Sequence, residues 1–224
     1  MKVLLLVNPF SSSVTARTRV VIRKALAGDH EVEMAETARR DHATRLARSA
    51  AAAGTDVVVV LGGDGTVNEA ANGLAGSATA LAVLPGGSTN VFARTIGLPD
   101  DPVEATASLL NALEHRSMKR IGLGSVNDRY FLFHVGMGYD AAVVAQVEKR
   151  SSLKRYASHA LFVWSAIETW FRHFDHTSPA MSVELPDGTV VDDGYFCIAF
   201  NTNPYTYLGT RPLDIAPAAT FDRG

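Results

Sequence analysis

The chain has 224 residues, 47% hydrophobic and 20% charged, an ordinary globular composition and a length worth about one and a half domains. Its 21 basic and 23 acidic side chains leave a net charge of −2, which removes the usual electrostatic case for a nucleic-acid partner. No apolar run reaches the roughly 18 residues of a membrane-spanning helix, no signal-peptide cleavage pattern follows Met1, and a lone cysteine, Cys197, excludes an internal disulfide. The expected setting is cytoplasmic, and Cys197, inside the apolar run Tyr195 to Phe200, reads as a buried, inert thiol.

Val3 to Val7 is continuously apolar, as in a strand buried on both faces. Thr15 to Ala27 predicts a helix that turns Val14, Val21 and Ala25 to one side. His30 to Ala35 alternates apolar and polar residues, the pattern of a half-exposed strand near a sheet edge. His42 to Ala53 predicts a second helix, closed by Gly54. Val57 to Leu61 is the clearest buried strand; Gly62-Gly63 ends it, and a helical pattern from Val67 to Leu74 begins directly after. Ala80 to Leu84 is a further strand, stopped by Pro85-Gly86-Gly87. Asp101-Pro102-Val103-Glu104 supplies an N-cap, an N1 proline and a capping-box glutamate for a helix carrying Val103, Ala107, Leu110 and Leu113. This alternation predicts an α/β domain with a parallel sheet over residues 1–117.

From about residue 118 the texture changes. Tyr130 to Val135, Met181 to Leu185, Thr189 to Asp192 and Tyr195 to Phe200 predict strands, with Pro186-Asp187-Gly188 turning a hairpin. One helix is predicted, Tyr156 to Phe174, with Leu161, Trp164, Ile167, Phe171 and Phe174 at helical spacing. Core packing is the expectation for its aromatic stripe, and membrane contact the alternative. Residues 118–224 therefore read as a mostly antiparallel β domain, incomplete at its C-terminus, because Phe221-Asp222-Arg223-Gly224 looks like a turn between strands. Just before the aromatic helix, Lys149, Arg150, Lys154 and Arg155 fit a solvated loop or a docking patch for anionic lipid. Each such cation near a membrane surface is worth about 1 kcal/mol.

The chemistry is concentrated in Gly62-Gly63-Asp64-Gly65-Thr66-Val67-Asn68-Glu69. Three glycines in four positions permit positive φ and let backbone N–H groups approach an anion. A helix N-terminus adds partial positive charge, so phosphate is the natural ligand. Asp64 would repel a bare phosphate and makes sense if it serves Mg²⁺ or orients the reacting group; the plain alternative is a tight turn with a capping aspartate. Three other loops follow strands on the same side: Asn8 to Ser13, Glu36-Thr37, and Pro85 to Asn90. Loops at the carboxyl ends of parallel strands are where open α/β sheets bind ligands. Neither G-x-x-x-x-G-K-[ST] nor G-x-G-x-x-G is present.

The eight-residue motif resembles the GGDGTxNE signature of the soluble diacylglycerol kinase family, which shares its catalytic domain with sphingosine and ceramide kinases. Asn8-Pro9 resembles that family's NPxSG loop, Leu84 to Arg94 its LPxGTxNDFAR segment, and Gly136-Met137-Gly138-Tyr139-Asp140-Ala141 the G-x-G-[FY]-D-A that opens its second domain. The resemblance implies an α/β nucleotide domain followed by a sandwich-like β domain. It also implies transfer of the ATP γ-phosphoryl group, with Mg²⁺, to a lipid hydroxyl, with diacylglycerol giving phosphatidic acid. Carried over by position, Asn8, Ser11, Ser12, Thr37, Gly62, Gly63, Asp64, Gly65, Thr66, Val67, Asn68 and Ser88 would surround the nucleotide. Asp64 and Asp140 would serve the metal–phosphate network, and the general base is expected beyond Gly224. The implied partner is a lipid at the inner face of the membrane, with a homodimer left open.

Departures from the family pattern are specific. Ser12 stands where the NPxSG glycine is expected, and Val91 replaces the aspartate of GTxND. Pro217 to Gly224 resembles the P-x-A-x-L-D-D-G metal loop, but Arg223 replaces one acid, leaving Asp222 as a doubtful metal ligand. Two other functions stay open: a nucleotide-binding module without catalysis, and an NAD kinase, which shares the GGDGT loop.

Overall fold

The computed structural model describes residues 1–149, 158–175, 177–179 and 181–221. Packing groups the chain into two compact units, residues 1–133 with 201–224, and residues 134–200.

The first unit is built on a four-stranded parallel sheet in the order β2-β1-β3-β4, made of β1 (Lys2–Val7), β2 (Glu31–Glu36), β3 (Val57–Gly62) and β4 (Ala80–Pro85). All residues of β3 are buried, as its unbroken apolar run requires, whereas β2 lies at an edge, where Val32 and Ala35 are half-buried and Met34, expected to alternate inward, is exposed. Helices cover both faces. Val3, Leu5, Val7, Val57, Val59 and Leu61 pack against α1 (Ala16–Leu26) and α5 (Pro102–Glu114). Leu4, Leu6, Val58 and Val60 pack against α2 (His42–Ala52) and α3 (Asp64–Leu74). A short α4 (Val91–Thr95) lies between β4 and α5. Ala43, Ala47 and Ala50 let α3 approach α2 so closely that a Cβ on Gly73 would lie 2.4 Å from the Thr44 carbonyl oxygen.

Two local expectations change. The core face of α1 is Ile22 and Leu26, continued by Val14, and Val21 is exposed. The apolar run Tyr130 to Val135 is not one strand: β6 (Arg129–Phe131) pairs with β5 (Gly124–Val126), and β7 (His134–Gly138) begins after a break at Leu132. The β5–β6 turn places Asn127 and Asp128 at positive φ, the backbone of a tight hairpin. Residues 201–221 return to this unit; there Asn201 donates to the Gly122 and Leu132 carbonyls, and β11 (Thr206–Leu208) pairs with β12 (Arg211–Leu213).

The second unit pairs β7 with β10 (Phe196–Phe200) and β8 (Met181–Glu184) with β9 (Val190–Gly194), both antiparallel. Among its described residues are the expected helix, α7 (Ser158–Arg172), and a helix that was not expected, α6 (Tyr139–Lys149). Cys197, expected buried, is half-buried on β10. The aromatic stripe of α7, expected in a core, is exposed at Trp164 and Phe171. Among the described residues no helix is long and apolar enough to cross a membrane.

Candidate functional site

The carboxyl ends of the parallel strands are held together by backbone and short side chains. After β1, the Asn8 amide donates to the Leu61 carbonyl of β3 at 2.9 Å, and Thr37, after β2, donates to the Val7 carbonyl at 2.8 Å. The Asn8 side chain donates through Nδ2 to Thr66 Oγ1 at 2.9 Å, tying the first loop to the start of α3. Ser11 donates its amide to the Asn8 carbonyl, and Ser13 donates to the Gly86 carbonyl.

The two glycine-rich loops lie backbone against backbone. The Gly86 amide donates to the Gly62 carbonyl at 2.9 Å. A Cβ on Gly86 would sit 2.8 Å from Gly62 Cα, and one on Gly87 would sit 2.8 Å from Gly63 Cα. Gly63 itself has φ −85° and ψ 175°, and Gly62, Gly63 and Gly65 all lie outside the positive-φ region. Close backbone approach therefore requires glycine at 86 and 87 and leaves little room at 63, and the expectation of a positive φ in the Gly62 to Gly65 loop is corrected. Gly65 faces open space, where a Cβ would meet nothing within 4 Å. Gly63 is the N-cap of α3 and contributes no side-chain cap, so the first turn of the helix meets the crevice as bare backbone.

Asp64 spans the two loops. Its Oδ2 accepts from the Val91 amide and its Oδ1 from the Phe92 amide, each at 3.0 Å. It thereby caps α4, whose own N-cap residue, Asn90, sits at φ 51° and makes no side-chain cap. Asn90 instead accepts from the Gly87 amide and donates to the Gly87 carbonyl and to Asp100 Oδ1. This bracing by Asn90 was hidden in the sequence, because an asparagine after Gly-Gly-Ser-Thr signals only a left-handed turn.

The rest of the motif faces away from the crevice. The Val67 side chain is 1% exposed in the core, and its amide donates to the Gly63 carbonyl. Asn68 donates to the Tyr130 carbonyl and accepts from the Leu132 amide, while Asn72, one turn later, accepts from the Tyr130 amide and donates back to its carbonyl. Two amide side chains thus pair β6 as a neighbouring strand would. Glu69 accepts from the Ala43 amide and supplies the cap that α2 lacks from Asp41. Ser12 and Ser88 are exposed on their loops.

Asp140 lies in the other unit, in the first turn of α6. Its carboxylate occupies the space over Gly136 that a Cβ there would take, so a larger residue at 136 would displace the Asp140 side chain. On the same side of β7, burial pushes the His134 imidazole below its ordinary value, opposed by the Asp140 charge. Burial, with Asp140 adding to it, pushes the Tyr139 phenol up, and Tyr139 donates to the Ala166 carbonyl. Lys149 is exposed at the end of α6. Arg150, Lys154, Arg155 and Asp222 lie outside the described residues.

Residues 2–126 match the diacylglycerol kinase catalytic domain family. The chain belongs to that family. It is 36% identical over 121 residues to the diacylglycerol kinase of Bacillus subtilis (strain 168), covering 53% of this chain and 39% of that protein. It is 38% identical over 143 residues to a Chromohalobacter salexigens protein named "Probable lipid kinase YegS-like", covering 62% of this chain and 44% of the relative. The chain thus spans less than half the length of these two relatives. A crystal structure of a diacylglycerol kinase from Bacillus anthracis str. Sterne superposes with a TM-score of 0.70 at 28% identity, over 100% of this chain and 70% of that one. The α/β unit with a parallel sheet followed by small antiparallel sheets is the architecture of that family.

An ATP phosphate chain fits the crevice on two observations: the uncapped first turn of α3, and the side-chain-free contact between the Gly62-Gly63 and Gly86-Gly87 loops. For Mg²⁺ the described residues contain no cluster of three or more His, Cys, Asp or Glu side chains. An ion carried mainly by nucleotide phosphates needs only one or two protein carboxylates, and Asp64, which accepts from the Val91 and Phe92 amides, is the carboxylate of the glycine-rich loop.

Proposed function

We propose that this chain carries the nucleotide site of an ATP-dependent lipid kinase that phosphorylates a lipid hydroxyl, with diacylglycerol as acceptor and phosphatidic acid as product. The observation that carries the reading is the joining of the two glycine-rich loops through Asp64, in a chain whose residues 2–126 match the family. In this reading the nucleotide site belongs to the first unit, residues 1–133 with 201–224, and residues 134–200 face the lipid. Asn8, Ser11, Ser12, Thr37, Gly62, Gly63, Gly65, Thr66 and Ser88 face the nucleotide in this reading.

The acceptor oxygen bonds to the γ-phosphorus, the bond to the β–γ bridging oxygen breaks, ADP leaves, and the hydroxyl proton passes to a base. Little covalent help is needed, so the protein acts by positioning and charge. Mg²⁺ bound with ATP would offset charge on the phosphate oxygens. The start of α3, which has no side-chain cap, holds the phosphates, the Asn8–Thr66 contact fixes one wall, and Asp64 fixes the other by holding α4.

The test is transfer of radiolabel from γ-labelled ATP to a panel of diacylglycerol, monoacylglycerol, sphingosine, ceramide and NAD. Label in phosphatidic acid supports the reading. Label in NADP alone makes the chain an NAD kinase, and ATP binding with no transfer makes it a binding module.

A further inference from the structure

Helix α7 is amphipathic the wrong way round for a helix in water. Ser165 and Thr169, one turn apart, are 0% exposed, and their hydroxyls find no hydrogen-bond partner among the described residues. On the opposite stripe, Trp164 is 61% exposed, Ile167 52% and Phe171 74%. At 100° per residue, positions 164, 167 and 171 fall within about 60° of one another, and positions 165 and 169 lie across the helix axis. Trp170 borders the stripe, stacked on Phe174 and edge-on to Tyr139. Buried hydroxyls and exposed aromatic rings both cost free energy in water, so this face is built for another surrounding.

We propose that the Trp164–Ile167–Phe171 face of α7 is a membrane-docking surface that lies in the headgroup region of an anionic bilayer. The proposal rests on the lipid-kinase reading for its purpose, since an acceptor hydroxyl sits at that depth. Its chemistry stands on the helix. Tryptophan and phenylalanine beside an aliphatic residue are the composition of an interfacial helix face. Exposed cations close the two helices and supply charge complementary to anionic headgroups: Arg172 in the last turn of α7, its side chain 73% exposed and 3.8 Å from the half-buried Glu168, and Lys149 at the end of α6. With no helix able to span a bilayer among the described residues, the face meets the membrane from one side.

Trp164 and Trp170 are the chain's two tryptophans, so intrinsic fluorescence reads α7 alone. Vesicles of phosphatidylcholine and phosphatidylglycerol are expected to shift tryptophan emission to shorter wavelength, and brominated acyl chains to quench it. The double variant Ile167→Ser, Phe171→Ser is expected to partition about tenfold or more weakly, the loss anticipated from removing two buried apolar side chains. Its ATP affinity and circular dichroism should not change. Emission that ignores vesicles, or a double variant that partitions like the unaltered protein, overturns the proposal. So does emission that follows protein concentration with a doubled mass in light scattering, which gives the face to a second copy. Binding is read without turnover, so the two readings fail separately. Lost vesicle binding with retained transfer to a micelle-dispersed short-chain diacylglycerol removes the docking face alone. Retained binding without transfer to any acceptor removes the kinase reading alone.

Discussion

Asp64 Oδ2 lies 3.0 Å from the backbone nitrogen of Val91. Val91 is buried and offers Asp64 its backbone amide, as Phe92 does. Asp64 is therefore a joint between two loops. An aspartate whose only duty was a metal would make no such contacts, and this one accepts from two backbone amides.

Asp64→Asn keeps one acceptor oxygen but sets an NH₂ group against one of the two amides. It is expected to lower unfolding free energy by about 1–3 kcal/mol, read by urea denaturation, besides reducing turnover. Unchanged stability would return Asp64 to a purely electrostatic role.

The glycines separate packing from ligand approach. Gly86→Ala drives a methyl group to 2.8 Å from Gly62 Cα and 2.9 Å from Val14 Cγ2, and should destabilise by about 1–3 kcal/mol. Gly65→Ala meets nothing within 4 Å and replaces a helical glycine, so it should stabilise by up to about 1 kcal/mol. Thermal melts of the two variants should move in opposite directions.

Asn68 is expected to matter through β6. Asn68→Ala leaves the Leu132 amide without its acceptor, so hydrogen exchange at Leu132 should quicken while Val57 to Leu61 stays protected. Loss of ATP affinity with unchanged exchange at Leu132 would place Asn68 at the nucleotide.

His134 gives a pH signature. Its imidazole is held below its ordinary value of 6.5, so the folded state disfavours the proton that the unfolded chain accepts. The stability it contributes is complete above about pH 6.5 and declines as pH falls through the folded value. Asp140, which opposes the shift, keeps the effect partial. His134→Gln should flatten the acid limb of a stability–pH curve, and an unaltered slope would count against the assignment.

Much of the fold was legible because its elements obey simple periods. The unbroken run at Val57 to Leu61 and the Asp101-Pro102 start of α5 both appear where the pattern put them, with Asp101 capping the Val103 and Glu104 amides. The break at Leu132 was not legible, because it is imposed by Asn68 and Asn72, some 60 residues earlier. Helix α6 was missed because Val143 and Val147 are its two buried residues, too short a stripe to set a period. The α7 stripe was periodic and correctly helical, yet period alone says nothing about which surrounding an apolar face meets. Within the site, the glycine-rich loop was visible by composition. Its internal wiring was not, because Glu69 capping α2 and Asn90 bracing Gly87 depend on contacts between loops.

The most direct measurement is transfer of label from γ-labelled ATP to diacylglycerol by the unaltered protein and by Gly63→Val. A valine at 63 covers the first turn of α3, where a Cβ already lies 3.3 Å from Gly87 Cα. The account predicts labelled phosphatidic acid from the unaltered protein and none from a Gly63→Val variant that shows the same circular dichroism. Equal transfer by both would contradict it, because the phosphates would then lie somewhere other than the crevice between the two glycine-rich loops.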